Sequence, residues 1–316
     1  MKLKYDILTV GFPLVEIMRE KRGVLFNEVG HFLGPYPSGD TCIMLDVAAR
    51  LGKKCCFFGT VGKDAFGTMV MERLNSDGVD ISYVRQIEKG FTAAVFVRYE
   101  ENGKREYLDF IENSASSQLR PEDIVPEVIA NSTWIHFSGE VLSNCIDSLR
   151  RTAMEKLLDN ITENSKVCLD PNFTVQVKNM REVMGPFIER ADLILPSEGE
   201  AKLLMGTQSD EEACRILAGM GKIVALKKGK QGCDIYQGEN VIHAEPFCVE
   251  EIDPTGCGDS FCAGFITGLL EEWPLQEVGR FANEVGALQA MEQGPMEGAK
   301  TYEEVKKFIA EHEGGK

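Results

Sequence analysis

Short apolar, β-branched runs alternating with helix-patterned stretches predict an α/β fold on a mostly parallel central sheet. Two further observations support that class. The strand-like runs lack polar alternation, as strands covered on both faces do. The 316 residues, 43% of them hydrophobic, supply a core large enough for one big domain or two ordinary ones. No internal repeat, low-complexity tract or long linker divides the chain, so residues 1–316 read as a single domain.

In chain order, the first strand covers Asp6–Val10. The apolar patch there is too short for a secretion signal or a membrane span before charges begin in MREKRG. Gly11–Asp40 is rich in Gly and Pro and has no helical period. A helix at Ile43–Leu51 leads to a strand at Cys55–Val61 and a helix at Gly67–Asp77. Thr92–Phe110 then breaks the rhythm, with two β-rich arms around Asn102-Gly103, a hairpin signal. A hairpin inserted between βα units must sit off the main sheet. It reads as a flap over a cleft, the alternative being a surface hairpin without a role. The alternation resumes with strands at Thr133–Ser138, Lys166–Asp170, Leu193–Leu195 and Ile223–Lys227, separated by helices at Ile146–Asn160, Glu182–Arg190 and Glu211–Met220. Helices at Asp259–Glu272, Leu275–Met291 and Tyr302–Glu311 close the chain, the second entered through Pro274.

Thirty-four Lys and Arg against 50 Asp and Glu give a formal charge of −16, which argues against nucleic acid as a partner. A nucleotide ligand stays open, because backbone amides and a metal ion hold phosphates without net positive charge. Ten cysteines show no C-x-x-C, and four histidines no H-x₃₋₅-H spacing, so no zinc site is expected. With Cys55 and Cys56 adjacent and the others scattered, they read as reduced thiols of a cytoplasmic protein.

The most informative segment is Glu251–Phe265, EIDPTGCGDSFCAGF. Gly256 and Gly258 bracket Cys257 in a turn whose backbone N–H groups can face one concavity, and the following helix N-terminus adds positive potential. That suits a phosphoryl group in transfer, with Asp259 placed to take a proton from an attacking hydroxyl. A helix N-cap at Asp259 with a tight glycine loop explains the same residues equally well. The segment is neither a Walker A motif nor a Rossmann G-x-G-x-x-G, so a dinucleotide-dependent dehydrogenase is not expected.

DPTGCGDSF resembles the C-terminal signature of the ribokinase-like sugar kinases, the PfkB family, with Cys257 where the family usually has Ala. The likeness covers nearly the whole chain, in the family's order: SGDTCIMLDVAARLG (Ser38–Gly52), FFGTVGKDAFG (Phe57–Gly67), CLDPN (Cys168–Asn172), LPSEGEAKLL (Leu195–Leu204), ALKKGKQG (Ala225–Gly232) and FANEVGA (Phe281–Ala287). The resemblance implies a ribokinase-like three-layer sandwich with a mostly parallel central sheet and a small β lid drawn from about 12–40 and 91–111. It implies an ATP-dependent kinase for a small sugar or sugar-like acceptor, with Mg²⁺ and, in many members, a monovalent cation such as K⁺. Asp259 would be the catalytic base, and Gly256, Cys257 and Gly258 the anion hole. Lys227, Gly229, Gly232 and Asn283 would face the nucleotide. Glu16, Gly39, Asp40 and Asn172 would contact the acceptor, Glu200 would position Mg²⁺ through water, and Asp253 and Thr255 would flank the monovalent cation. A homodimer through the lid is compatible with the apolar arms of the hairpin.

Taken singly, each of these residues has an ordinary structural reading; the joint order of the motifs favours the functional one. The chain also departs from the pattern. Ser38 replaces a Gly, Ile43 an Asn, Ser197 the Asn of N-x-x-E, and Lys227 a common Thr, while Thr174 stands where many relatives carry Arg. These changes bear on the acceptor. With that Arg missing, a neutral sugar is expected over a sugar acid, and Arg98 is the expected lid cation, Lys104 and Arg105 facing solvent. A nucleoside kinase of the same fold and a non-catalytic sugar-binding relative are the rival readings.

Overall fold

The structure, a computed structural model, describes residues 4–143, 149–173 and 180–313. Thr174 and the first residues of the helix expected at Ile146–Asn160 lie outside them. In chain order the described strands are β1 Tyr5–Gly11, β2 Leu14–Arg19, β3 Phe32–Ser38, β4 Cys55–Gly62, β5 Val84–Ile87, β6 Ala93–Tyr99, β7 Arg105–Asp109, β8 Ser132–Ser138, β9 Lys166–Asp170, β10 Leu193–Ile194, β11 Ile223–Lys227, β12 Cys233–Gln237 and β13 Asn240–Ala244.

The large sheet has the order β13-β12-β11-β10-β9-β8-β1-β4-β5. Seven of its nine strands, β11 through β5 in that order, are parallel, and β12–β13 add an antiparallel hairpin at one edge. Side chains alternate across it: Leu8 and Val10 of β1 join one apolar cluster, whereas Ile7 joins the other. Both faces are therefore covered, which gives the three layers expected. All six predicted strands of this sheet are present. The helix expected from Ile43 begins at Asp40, and the one expected from Asp259 begins at Cys257.

The second sheet has the order β3-β2-β6-β7. The predicted hairpin is its β6–β7 pair, with Tyr99 opposite Arg105. Gly11–Asp40, which carries no periodic signal, supplies β2 and β3, and β2 joins β6 in parallel with Glu16 opposite Val95.

From β1 the chain moves outward to β4 and β5, then returns beyond β1 at β8 and proceeds the other way to β11. The order thus reverses beside β1. Loops leaving the carboxyl ends of β1 and β8 diverge there and leave a crevice, the usual ligand position in an open α/β sheet.

Candidate active site

A cleft of about 1230 Å³ occupies this crevice. It exceeds the roughly 300–1,000 Å³ that serves one small ligand, and so has room for two side by side. Residues of the small sheet, including Val95, Arg105 and Tyr107, close one end.

Asp259 lies in the first turn of the helix Cys257–Leu270. That helix is entered through Gly256 at φ 79°, and no side chain caps it, so the N-cap reading of Asp259 fails. Only glycine fits at 256: the left-handed φ disfavours any side chain, and an added Cβ would lie 2.4 Å from the Pro295 carbonyl oxygen. Gly258 is different from expectation. Its φ is not left-handed, and an added Cβ would meet only the Lys227 Nζ, at 3.7 Å. Its small size leaves space above the helix N-terminus and serves no special turn. Burial pushes the Cys257 thiol up to about 12, so it stays protonated and inert.

Asp259 does not stand alone. Burial raises its proton affinity well above the usual carboxylate range, and the Asp40 and Asp170 carboxylates push it the same way; Lys227 and Arg105 oppose them. Asp40 opens its own helix behind Gly39. It accepts from Thr41 N–H at 2.6 Å, from Asn172 Nδ2 at 2.8 Å and from the Ser138 hydroxyl. Lys227 Nζ donates to Asp170 Oδ2 at 2.8 Å, and Cys262 Sγ donates to the same oxygen at 3.0 Å. The Lys227–Asp170 pair is nearly buried, with side chains 10% and 5% exposed.

At the acceptor end, Glu16 accepts from the Ser38 hydroxyl at 2.9 Å, which gives the Ser-for-Gly departure a physical purpose. Burial raises the Glu16 carboxyl to about 7, the Ser38 bond offsetting part of the shift. Folded protein therefore binds this proton more tightly than unfolded chain. The resulting stability, about 3 kcal/mol, is fully present below the usual carboxylate range and is lost as pH rises through about 7. Between pH 5 and 8 the wild-type Tm should accordingly fall further than that of Glu16→Gln. Parallel melting curves across that range check this, and equal slopes would refute it.

The lid cations correct the sequence expectation. Arg98 pairs with Glu106 and lies over the Phe26 ring, 6.0 Å from its centroid, away from the cleft. Arg105 is exposed as expected but also lines the cleft, where its charge acts on Glu16. Strand alternation decides this: in β6–β7 neighbouring positions point to opposite faces.

At the other end, Gly229, Gly232 and Asn283 line the cleft. Asn283 Nδ2 donates to the carbonyls of Ala244 and Glu245 at 3.0 and 2.9 Å, so its amide also clamps the chain leaving β13. Glu200 accepts from Phe173 N–H at 3.0 Å and Ser197 N–H at 2.6 Å, one bond to each carboxylate oxygen. No cluster of three His, Cys, Asp or Glu suited to a metal occurs among the described residues. Both carboxylate oxygens of Glu200 are held by backbone donors at the wall of the cleft. Asp253 and Thr255 lie beneath the Gly256 turn and are hydrogen-bonded to each other's segment.

Sequence reasoning missed Asp170, Glu140 and Arg150, all of which line the cleft. Asp170 ends β9 inside the CLDPN motif, so position at a strand's carboxyl end was the available signal. Glu140 and Arg150 carry no comparable one.

A parallel sheet with a crevice at its switch point, a helix N-terminus turned into it and a small second sheet at one end define the ribokinase-like class. Within that class the chain belongs to the pfkB family of carbohydrate kinases, whose match spans residues 28–301. An E. coli protein assigned as Ribokinase II, solved with ATP and Mg²⁺, is 32% identical; the alignment covers 98% of this chain and 100% of that one at TM-score 0.88. The fructokinase of Escherichia coli is 28% identical over 92% of this chain and 94% of its own. The ATP-dependent 6-phosphofructokinase of Thermoanaerobacterium thermosaccharolyticum is 28% identical over 87% and 84%.

Proposed function

We propose that this carbohydrate kinase transfers the γ-phosphoryl group of ATP to a hydroxyl of a small neutral sugar. The observation that carries the reading is Asp259: a carboxylate of raised basicity in the first turn of a helix whose N–H groups face a two-ligand cleft. The acceptor hydroxyl attacks the γ-phosphorus and passes its proton to Asp259. The new O–P bond forms as the bond to the β-phosphate oxygen breaks, and ADP leaves with that electron pair. Backbone N–H groups of Gly256 and Gly258, with that of Cys257 once it leaves the Pro254 carbonyl to which it donates at 3.3 Å, receive the charge of the moving phosphoryl group. Lys227 adds a fixed positive charge beside them. Gly229, Gly232 and Asn283 form the nucleotide end. Mg²⁺ bound with ATP supplies charge neutralisation on the phosphates, and Glu200 would hold its water shell.

Glu16, Asp40 and Asn172 would bind acceptor hydroxyls, with Gly39 allowing close approach. The small sheet acts as a lid over a single 1–316 domain, excluding water that would otherwise be phosphorylated. A neutral acceptor is supported by the balance of charge among the described residues of the cleft: Arg105 faces Glu16, Lys227 pairs with Asp170, Arg150 with Glu112 and Lys230 with Glu251. ADP release over fructose, ribose, fructose 6-phosphate, 2-keto-3-deoxygluconate and a nucleoside tests this. Fructose or ribose should exceed the acid in kcat/KM by about tenfold or more, the scale of one mispaired charge. Preference for the acid would sink the neutral-sugar reading and make Arg105 its partner. Turnover of the nucleoside alone would favour the nucleoside-kinase rival, and no turnover of anything the non-catalytic sugar-binding one.

Two further readings belong with this one. The nine described cysteines are all unbridged, which supports a reducing, cytoplasmic setting. Phe32, Leu108 and Phe110 stay exposed on the small sheet, which supports a homodimer through it; a monomeric sedimentation profile would count against that.

A further inference from the structure

The resemblance places a monovalent cation beside Asp253 and Thr255, and the residues of this chain do not fit one. The oxygens that would surround it are already engaged by fixed donors. Asp253 Oδ1 accepts from the Tyr99 hydroxyl at 2.6 Å and from Thr255 N–H at 3.0 Å. Its Oδ2 accepts from Gln293 Nε2 at 2.8 Å and from Gly294 N–H at 3.0 Å. The Thr255 carbonyl accepts from Gln289 Nε2 at 3.0 Å, and that nitrogen also donates to the Gly294 carbonyl at 2.7 Å.

The orientation of Gln289 is set by its surroundings. Its side chain is fully buried, and its Oε1 accepts from Gly298 N–H at 3.1 Å. The reverse flip would aim an oxygen at two carbonyls and an amine at a donor. A buried carboxylate and two carbonyls gathered together repel one another unless a cation or a donor lies between them. Here two glutamine amides and one tyrosine hydroxyl lie there. They tie the Pro254–Gly256 turn to residues 289–298 on one side. Through Tyr99, the last residue of β6, they tie it to the small sheet on the other.

We propose that Gln289, Gln293 and Tyr99 are a built-in substitute for the monovalent cation. They hold the turn beneath the anion hole, so turnover needs no K⁺, and Tyr99 makes the order of that turn depend on the small sheet being seated. The inference rests on the Gly256–Asp259 segment being the reaction centre as proposed above. All three are positioning residues and touch neither substrate.

Melting temperature and kcat/KM are compared in KCl, NaCl and tetramethylammonium chloride at equal ionic strength. Wild type should show the same Tm and rates within about twofold in all three; a K⁺-specific rise of about 3 °C or about tenfold would overturn the proposal. Gln289→Ala, Gln293→Ala and Tyr99→Phe each free acceptor oxygens. They should lose kcat by about tenfold in tetramethylammonium, with little change in acceptor KM, and regain part of it in K⁺. If Gln289→Ala does not fold, the other two variants decide. Variants that keep full turnover, or lose it without any K⁺ response, would also overturn it. The melting arm needs no turnover, so a failure of the kinase reading is told apart from a failure of this one.

Discussion

Asp259→Asn should lower kcat by about 10²–10⁴, the range for losing a general base, while ATP affinity stays near wild type. The melting temperature should hold or rise, because the substitution removes a charge that burial and two neighbouring carboxylates already disfavour. The base acts only when deprotonated. Wild-type kcat/KM should therefore fall as pH drops through a value above the ordinary carboxylate range, and Asp259→Asn should lack that limb. A pH–rate profile of both proteins, with nucleotide binding by calorimetry, checks this. A variant keeping more than about a tenth of the rate would remove Asp259 from the reaction.

Lys227→Met should have the largest effect on stability. It strands Asp170 in a nearly dry site, and breaking one side of a buried pair costs about 3–5 kcal/mol. It should also move the acid limb of the rate profile to higher pH, since the ammonium is the first of the groups holding the Asp259 proton affinity down. The double variant Lys227→Met/Asp170→Leu should recover much of the lost stability by removing both charges. It should not recover the lost rate, because the positive charge beside the phosphoryl group is still missing. Chemical denaturation of the three variants separates these effects. Equal stability of single and double variants would show that the pair does not act as a unit.

The parallel core apart from β5 was legible because each of those strands is an apolar run bounded by turn residues. β5, Val-Arg-Gln-Ile at the sheet edge and not buried, gave no such signal. β12 and β13 were not legible either. Cys233–Ala244 mixes polar and apolar positions, as an edge hairpin must, and so resembles a loop. β2 and β3 escaped for a related reason. β3 contains two prolines and is mostly half-exposed, which edge strands tolerate and sequence patterns penalise. Of the residues lining the cleft, those inside contiguous motifs were anticipated from sequence: Asp259 with its glycines, Asp40 and Asn172. Glu140 and Arg150 were not, because only the folding of distant segments onto one strand edge brings them together. Arg105 was rightly read as exposed, but its side toward the cleft was not, because that side is fixed by hairpin register, which sequence leaves free by one residue.

Asp40 and Asp259 each sit in the first turn of a helix, and those two helices share one apolar cluster. Gly264 lets the second of them approach Ala282 closely, an added Cβ lying 3.0 Å from that Cα. With the roles proposed above, the acceptor's anchor and its base would be mounted on the same stiff block, their spacing set by core packing. Motion of the outer strands can admit or retain a molecule without altering that distance. Under the proposed roles, substitutions in β6 and β7, which close one end of the cleft, would change which molecule is held while that spacing is inherited intact.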